Sequence, residues 1–149
     1  MKVVLTGNPN VGKSVVFNRL TGARVIASNY PGTTVHFAKG NMHFFNIKAE
    51  VIDTPGSYSL EPSTKAEEVA VNLIDAADLI IDVIDATNLE RNLYLTLELI
   101  RKKDKPLIIV LNMCDETKHK GVNIEIKKLE EFLGVPVVAT CALSGEGIK

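Results

Sequence analysis

Gly7-Asn8-Pro9-Asn10-Val11-Gly12-Lys13-Ser14 fits the pattern G-x-x-x-x-G-K-[ST] without a mismatch, and the residues on either side decide how it is read. Lys2 to Thr6 is a short β-branched run, and Ser14 to Leu20 has helical character, so the motif occupies the turn of a strand-loop-helix unit. Glycines in such a turn let backbone N–H groups close around phosphate oxygens. The Lys13 ammonium then neutralises β and γ oxygens, the Ser14 hydroxyl can ligate Mg²⁺, and the positive end of the helix dipole favours the anion. All eight residues, Gly7 to Ser14, are therefore expected to line a nucleotide-phosphate site.

Outward from this unit the chain alternates. Ala23 to Thr34 has no clear period and is broken by Ser28, Asn29, Pro31 and Gly32, which reads as a long loop of the kind that carries function. Val35 to Phe45 and Ile47 to Ile52 read as two strands joined by a tight turn, and Asp53, Pro55 and Gly56 end the second. A polar segment, Ser57 to Ser63, leads to a helix from about Thr64 to Ile74. Leu79 to Ile84 then reads as a strand, and Leu89 to Lys102 as an amphipathic helix with Leu93, Leu97 and Ile100 on its apolar side. Leu107 to Leu111 is a strand, Ile124 to Leu133 a helix stopped by Gly134, and Val135 to Thr140 a last strand. This order predicts an α/β domain with a mainly parallel six-stranded sheet, helices on both faces, and a ligand at the carboxyl ends of the strands. A closing C-terminal helix is expected beyond Lys149, so residues 1–149 read as a fragment of a longer protein.

Three further motifs fall at that carboxyl edge. Asp53-Thr54-Pro55-Gly56 follows an apolar strand, where phosphoryl-transfer enzymes with such a loop place a carboxylate in the metal shell. Asp53 is expected to hold Mg²⁺ through water, and the Gly56 N–H to approach a γ-phosphate because no Cβ obstructs it. Asn112-Met113-Cys114-Asp115 ends a buried strand, and Asp115 can accept paired hydrogen bonds from guanine N1 and N2. Adenine lacks those donors and would leave the carboxylate unpaired, so this motif selects GTP over ATP. Asn112 is expected to tie its loop to the P-loop rather than to touch the base. Cys141-Ala142-Leu143, after the last strand, is placed to offer the Ala142 N–H to guanine O6. In the first loop a threonine can close on Mg²⁺ and γ-phosphate and release after hydrolysis. Thr34 is preferred because it directly precedes the strand, with its neighbour Thr33 left open.

Composition narrows the class. At 149 residues, 46% hydrophobic and 23% charged, the chain suits one globular domain with one core. Seventeen Lys and Arg against 18 Asp and Glu give a formal charge of -1, so no nucleic-acid partner is expected. No apolar run is long enough to span a bilayer, and the piece is expected to be soluble and to face the cytosol. The two cysteines, Cys114 and Cys141, lack metal-ligand spacing and read as reduced structural thiols near the base. His36, His43 and His119 are scattered without a helical partner, which argues against a histidine-bound metal.

The five boxes, in this order, resemble the translation-factor-related class of P-loop GTPases with a Ras-like fold. Five stretches are together similar to the amino-terminal G domain of the ferrous-iron transport family FeoB. They are Asn8 to Asn10, Asn29 to Val35, Asp53 to Leu60, Asn112 to Asp115 and Leu133 to Val138. Met113, where most relatives carry lysine, is typical of that family, and by resemblance it lies beside the base. Tyr30, Thr33, His36 and Cys141 depart from its usual residues, but none of them is a phosphate ligand. The resemblance implies a Mg²⁺-dependent GTPase switch attached to a helical regulatory domain and a membrane domain that moves Fe²⁺. It would act at the cytoplasmic face of the inner membrane, and homo-oligomerisation is left open.

Ras-type enzymes carry a glutamine after the Asp-x-x-Gly motif to orient water, and here that position is Ser57. By resemblance to potassium-activated relatives, Asn10 is expected to ligate K⁺ beside the phosphates, in the role of an arginine finger. Lys13, Asn10, Thr34 and Gly56 are thus the expected catalytic set. Met113, with a flexible thioether in place of a lysine, implies modest affinity and quick GDP release. Two other readings share the motifs: a soluble ribosome-assembly or tRNA-modification GTPase, and a module that holds GTP without useful hydrolysis.

Overall fold

A computed structural model describes residues 1–102 and 104–148. Seven strands form one sheet in the order β2-β3-β4-β1-β5-β6-β7. Strand β1 (Lys2–Thr6) lies at its centre, with β4 (Ile47–Asp53) on one side and β5 (Leu79–Asp85) on the other. Beyond β5 come β6 (Leu107–Asn112) and β7 (Val137–Ala139), all parallel to β1. The other edge is a hairpin, in which β3 (His36–Phe44) runs antiparallel to β4, and β2 (Ile26–Asn29) pairs antiparallel to β3. This is the mainly parallel α/β sheet expected from the alternation, and the Ras-like fold the resemblance implies, with one strand more than the six counted in the sequence.

The additional strand lies in the segment 23–34 expected to be a loop. Ile26–Asn29 is mostly exposed and shows no apolar alternation, because an edge strand with little core beneath it needs none. Its order comes from pairing with β3, from Ile26 opposite Lys39 to Asn29 opposite His36.

Central strands are apolar on both faces because helices cover both. Val3 and Leu5 of β1 face α1 (Lys13–Thr21) and pack with Val16 and Phe17. Val4 faces the other way, onto Val69 and Leu73 of α2 (Lys65–Asp75) and Leu95 and Leu99 of α3 (Leu89–Lys102). Thr64 caps α2, its side chain accepting the Glu67 N–H at 3.1 Å. A third cluster joins Ile109 and Leu111 of β6 to Leu133 of α5 (Ile126–Leu133). One short helix, α4 (Cys114–His119), has no counterpart in the sequence reading, since six residues are too few to show a period.

The buried side of α3 also differs from expectation. Asn92, Leu95, Thr96 and Leu99 are buried, whereas Leu97 is 45% exposed. Two of those four are polar and are held by polar partners: the Thr96 hydroxyl donates to Asp82 on β5, and the Asp85 N–H donates to Asn92 Oδ1 at 3.3 Å. After β7 the described residues run as turns, with a bridge between Cys141 and Glu146. Among the described residues no helix is long and apolar enough to cross a membrane.

Candidate nucleotide site

The carboxyl edge of the parallel strands carries two clefts. One, of about 380 Å³, is lined by Asn8, Pro9, Asn10, Lys13, Ser14 and Gly56. Its floor is the start of α1, where Gly12 is the N-cap in a left-handed conformation (φ 84°). Gly12 has no side chain to offer as a capping acceptor, and the first turn of α1 carries no acidic residue of its own, so its first N–H groups are suited to receive an anion. A Cβ on Gly12 would also fall 2.3 Å from Asn112 Nδ2, a clash that only glycine avoids.

Lys13 is 9% exposed, and its ammonium pairs with the Asp53 carboxylate and the Thr54 carbonyl. Ser14 Oγ donates to the second Asp53 oxygen at 3.1 Å. A hydroxyl and a carboxylate side by side are hard oxygen donors, and one carboxylate plus a hydroxyl suits Mg²⁺, which takes its other ligands from phosphate and water. Among the described residues no group of three or more His, Cys, Asp or Glu could hold a metal by itself.

Asp53 ends β4, and the chain turns at once. The Thr54 hydroxyl and N–H both donate to the Leu5 carbonyl, at 2.8 and 3.2 Å, and the Ser57 N–H donates to the Gly7 carbonyl at 3.0 Å. Gly56 is pressed so close to the P-loop that a Cβ would lie 3.0 Å from Pro9 Cγ and 3.1 Å from its backbone. The two adjacent threonines separate cleanly. Thr33 Oγ1 donates to the Tyr30 carbonyl at 2.9 Å and accepts the Val35 N–H at 3.1 Å, so it closes a turn. Thr34 is exposed, and among the described residues its hydroxyl makes no hydrogen bond. Asn10 stands exposed at the lip of the cleft with φ 66°, a left-handed backbone that asparagine tolerates better than most residues.

The second cleft, of about 190 Å³, has Asp115, Lys118, Thr140, Cys141, Glu146 and Cys114 among its walls. Asp115 is exposed in the first turn of α4, which starts where Met113 takes φ 63°. Burial pushes the Cys114 thiol pKa up, and an elevated thiol pKa makes a poor nucleophile. Cys114 and Cys141 are both free and share this wall.

Asn112 joins the two clefts. Its Nδ2 donates to the Val11 carbonyl of the P-loop at 3.0 Å, as expected of a tie. Its Oδ1 accepts the Thr140 hydroxyl at 3.1 Å and the Ala142 N–H at 2.9 Å. The Ala142 N–H, expected to meet guanine O6, is thus engaged inside the protein. The loop curls back onto Asn112 because a buried amide oxygen, 3% exposed at the residue, must be satisfied. Leu143 is 77% exposed and Ala142 and Cys141 are buried, so the three residues of that box do not share one surface.

Two groups escaped the sequence reading. Arg19 of α1 fastens the 141–143 loop, its Nε donating to the Ala142 carbonyl at 3.0 Å and its Nη2 to the Leu143 carbonyl. No local signal marks such a residue, because its partners lie more than a hundred positions away. Asp82 sits inside β5, fully buried beside Thr6 of β1, and burial pushes its carboxyl pKa from 3.8 to about 7 against the lowering effect of Thr96. A lone carboxylate within the apolar run from Leu79 to Ile84 was the available signal.

A family model described as Ferrous iron transport protein B matches residues 1–149. The chain is 41% identical to an Fe(2+) transport protein A/Fe(2+) transporter FeoB fusion protein of Porphyromonas gingivalis, covering 99% of this chain and 18% of that protein. It is also 41% identical to the Fe(2+) transporter FeoB of Shigella flexneri, covering 100% of this chain and 20% of that one. The chain thus spans about a fifth of the length of the curated relatives it matches. Among solved structures, the cytosolic domain of L. pneumophila FeoB aligns at TM-score 0.93 and 40% identity, over 99% of this chain and 64% of that one. An S. thermophilus NFeoB mutant bound to GDP aligns at TM-score 0.91 and 43% identity, over 99% and 58%. Fold, motif order and sequence agree along the whole length, and this chain belongs to the ferrous iron transport protein B family, as a G domain.

Proposed function

We propose that this domain binds GTP, hydrolyses it to GDP and phosphate with Mg²⁺, and switches conformation as it does so. The observation that carries the proposal is the double engagement of Asn112, which sets a phosphate cleft and a base cleft at one fixed spacing. In this reading Lys13 exchanges its Asp53 and Thr54 oxygens for the β and γ oxygens of the nucleotide, while Gly7 to Ser14 wrap the phosphates with N–H groups. Ser14 and Thr34, with Asp53 through water, would hold Mg²⁺, which when bound would neutralise phosphate charge. The Gly56 N–H and Thr34 sense the γ-phosphate, and Asp115 reads guanine N1 and N2. Met113 packs beside the base, and Cys141, Ala142 and Leu143 close that end. Water attacks the γ-phosphorus, the bond to the bridging oxygen breaks, and GDP leaves with that oxygen.

Ser57 is 1% exposed and its hydroxyl is bonded to the Ser59 carbonyl at 2.8 Å, so it does not orient the water. Asn10, exposed at the cleft lip, is the candidate K⁺ ligand that would neutralise transition-state charge instead. In the longer protein the domain would regulate ferrous-iron uptake through attached helical and transmembrane parts, from the cytoplasmic face of the membrane. The relatives named as Fe(2+) transporters, and the cytosolic domain among the structural neighbours, support this placement.

The test is phosphate release and fluorescent-GDP displacement by the purified chain with Mg²⁺, in K⁺ and in Na⁺, with ATP as competitor. Faster turnover in K⁺ and no displacement by ATP are expected. Displacement by ATP at GTP-like concentrations overturns the guanine assignment, and equal rates in the two salts remove the role of Asn10.

A further inference from the structure

Between β4 and α2 the chain has no regular secondary structure, yet it is bound at both of its sides. On one side the Ser57 N–H is fastened to the P-loop at the Gly7 carbonyl. On the other, both carboxylate oxygens of Glu98 on α3 are occupied by this segment. Ser59 Oγ donates to Oε1 at 2.8 Å, and the Leu60 N–H donates to Oε2 at 2.9 Å. The same Ser59 hydroxyl accepts the Glu61 N–H at 3.0 Å, so one carboxylate organises three consecutive residues. Two turns earlier on α3, the Arg91 guanidinium lies 4.8 Å from the centroid of the Tyr58 ring, a stacking contact that adds to the grip.

These contacts form one continuous path. It runs from the P-loop through Ser57, whose hydroxyl bonds to the Ser59 carbonyl, to Glu98 and the outer surface of α3. Gly56 is the residue next to Ser57, and its amide must stay against the P-loop to meet a γ-phosphate. A segment of irregular backbone holds such a position only if side chains supply the bonds that a helix or strand would make for itself. Hydrogen bonds to an ionised carboxylate are the strong kind, and here two of them come from adjacent residues.

We propose that Glu98 is a positioning residue for GTP hydrolysis: by holding Ser59 and Leu60 it keeps Gly56 against the P-loop and couples the phosphate end of the site to α3. This rests on the GTPase reading above. Glu98 touches neither nucleotide nor water. Its effect is therefore on turnover, and on how firmly the 57–61 segment is held, while GDP affinity is set elsewhere by the P-loop and Asp115.

The experiment compares wild type with Glu98→Ala and Glu98→Gln in the purified chain. Phosphate release, GDP affinity and amide hydrogen exchange at Leu60 are measured on each. The alanine variant is expected to lose roughly tenfold in kcat while GDP affinity stays within about twofold, and its Leu60 amide to exchange faster. Glutamine keeps an acceptor for Leu60 and a polar partner for Ser59, so it is expected to recover most of both losses. Wild-type kcat in Glu98→Ala overturns the proposal. So does a loss of kcat matched by an equal loss of GDP affinity, or one that glutamine fails to rescue, since either outcome means a merely structural residue. If the wild-type chain binds GTP without hydrolysing it, the GTPase reading falls, and exchange decides the latch alone. Equal Leu60 exchange in wild type and Glu98→Ala would then overturn it.

Discussion

The cleft we assign to the phosphates and the cleft we assign to the base are built on opposite plans. The phosphate end is largely contiguous: Gly7 to Ser14 arrive as one loop, and Asp53 to Gly56 and Thr34 must be brought to it. The base end is a convergence of Val11, Asn112 to Asp115, Thr140 to Leu143 and Arg19, drawn from four places in the chain. Ionic groups hold the first, with Lys13 and Ser14 both on Asp53. Neutral groups around Asn112 hold the second, with the Arg19 guanidinium fastening its loop through backbone carbonyls. A phosphate site built on charge suits a ligand that is itself charged, whereas a base site needs direction more than strength. The contrast implies that damage at the phosphate end should appear in chemistry, and damage at the base end in selectivity and release.

Lys13→Ala should give the largest effect. Removing the cation from the phosphates is expected to reduce kcat by about a thousandfold or more, comparable to losing a transition-state charge stabiliser. Single-turnover phosphate release checks it, and a loss under tenfold would break the contrast.

Asp82 probes what lies beneath the phosphate end. Its folded pKa of about 7 stands above its unfolded value of 3.8, so the native state holds that proton more tightly. The stability it contributes is full below about 4 and is lost as pH rises toward 7, a total on the order of 4 kcal/mol. Urea unfolding of wild type and Asp82→Asn across that range is expected to show wild type losing ground steadily as pH rises, and to show no further divergence above about 8. Parallel pH profiles would mean that Asp82 is charged in the fold throughout.

Asp115→Ala targets the other end. The ratio of GTP to ATP affinity should fall by roughly a hundredfold, because the paired acceptor for guanine N1 and N2 is gone, while phosphate-end contacts persist. Competition binding measures it. Smaller still, Arg19→Ala should quicken GDP release by about five- to tenfold with kcat nearly unchanged, since it frees the 141–143 loop without touching a phosphate. Stopped-flow displacement of fluorescent GDP checks this, and a kcat loss larger than the change in release would put Arg19 at the wrong end of the comparison.

Legibility followed the same division. The eight-residue loop, the turn after β4 and the Asn112 to Asp115 box were readable because each needs only short-range chemistry at the end of an apolar strand. Strand β2 was not, since an exposed edge strand carries no alternation and is ordered by its neighbour's unpaired backbone. The buried face of α3 was misplaced because Leu93, Leu97 and Ile100 share a helical spacing as good as that of Leu95 and Leu99. The choice fell to the polar partners under Asn92 and Thr96, which a period cannot show.

The amino-acid order by itself determined the parallel α/β arrangement and the placing of the Gly7 to Ser14 loop between β1 and α1, because those follow from periodicity and glycine placement within short windows. Only the tertiary structure decided which threonine of Thr33 and Thr34 is free, where the Ala142 N–H points, and that Arg19 fastens the 141–143 loop and Glu98 the segment after Gly56. Each of those outcomes depends on a hydrogen bond whose partner was chosen by competition among groups the fold brought together. Such a competition has no local signature, because a buried donor takes whichever acceptor the packing leaves nearest.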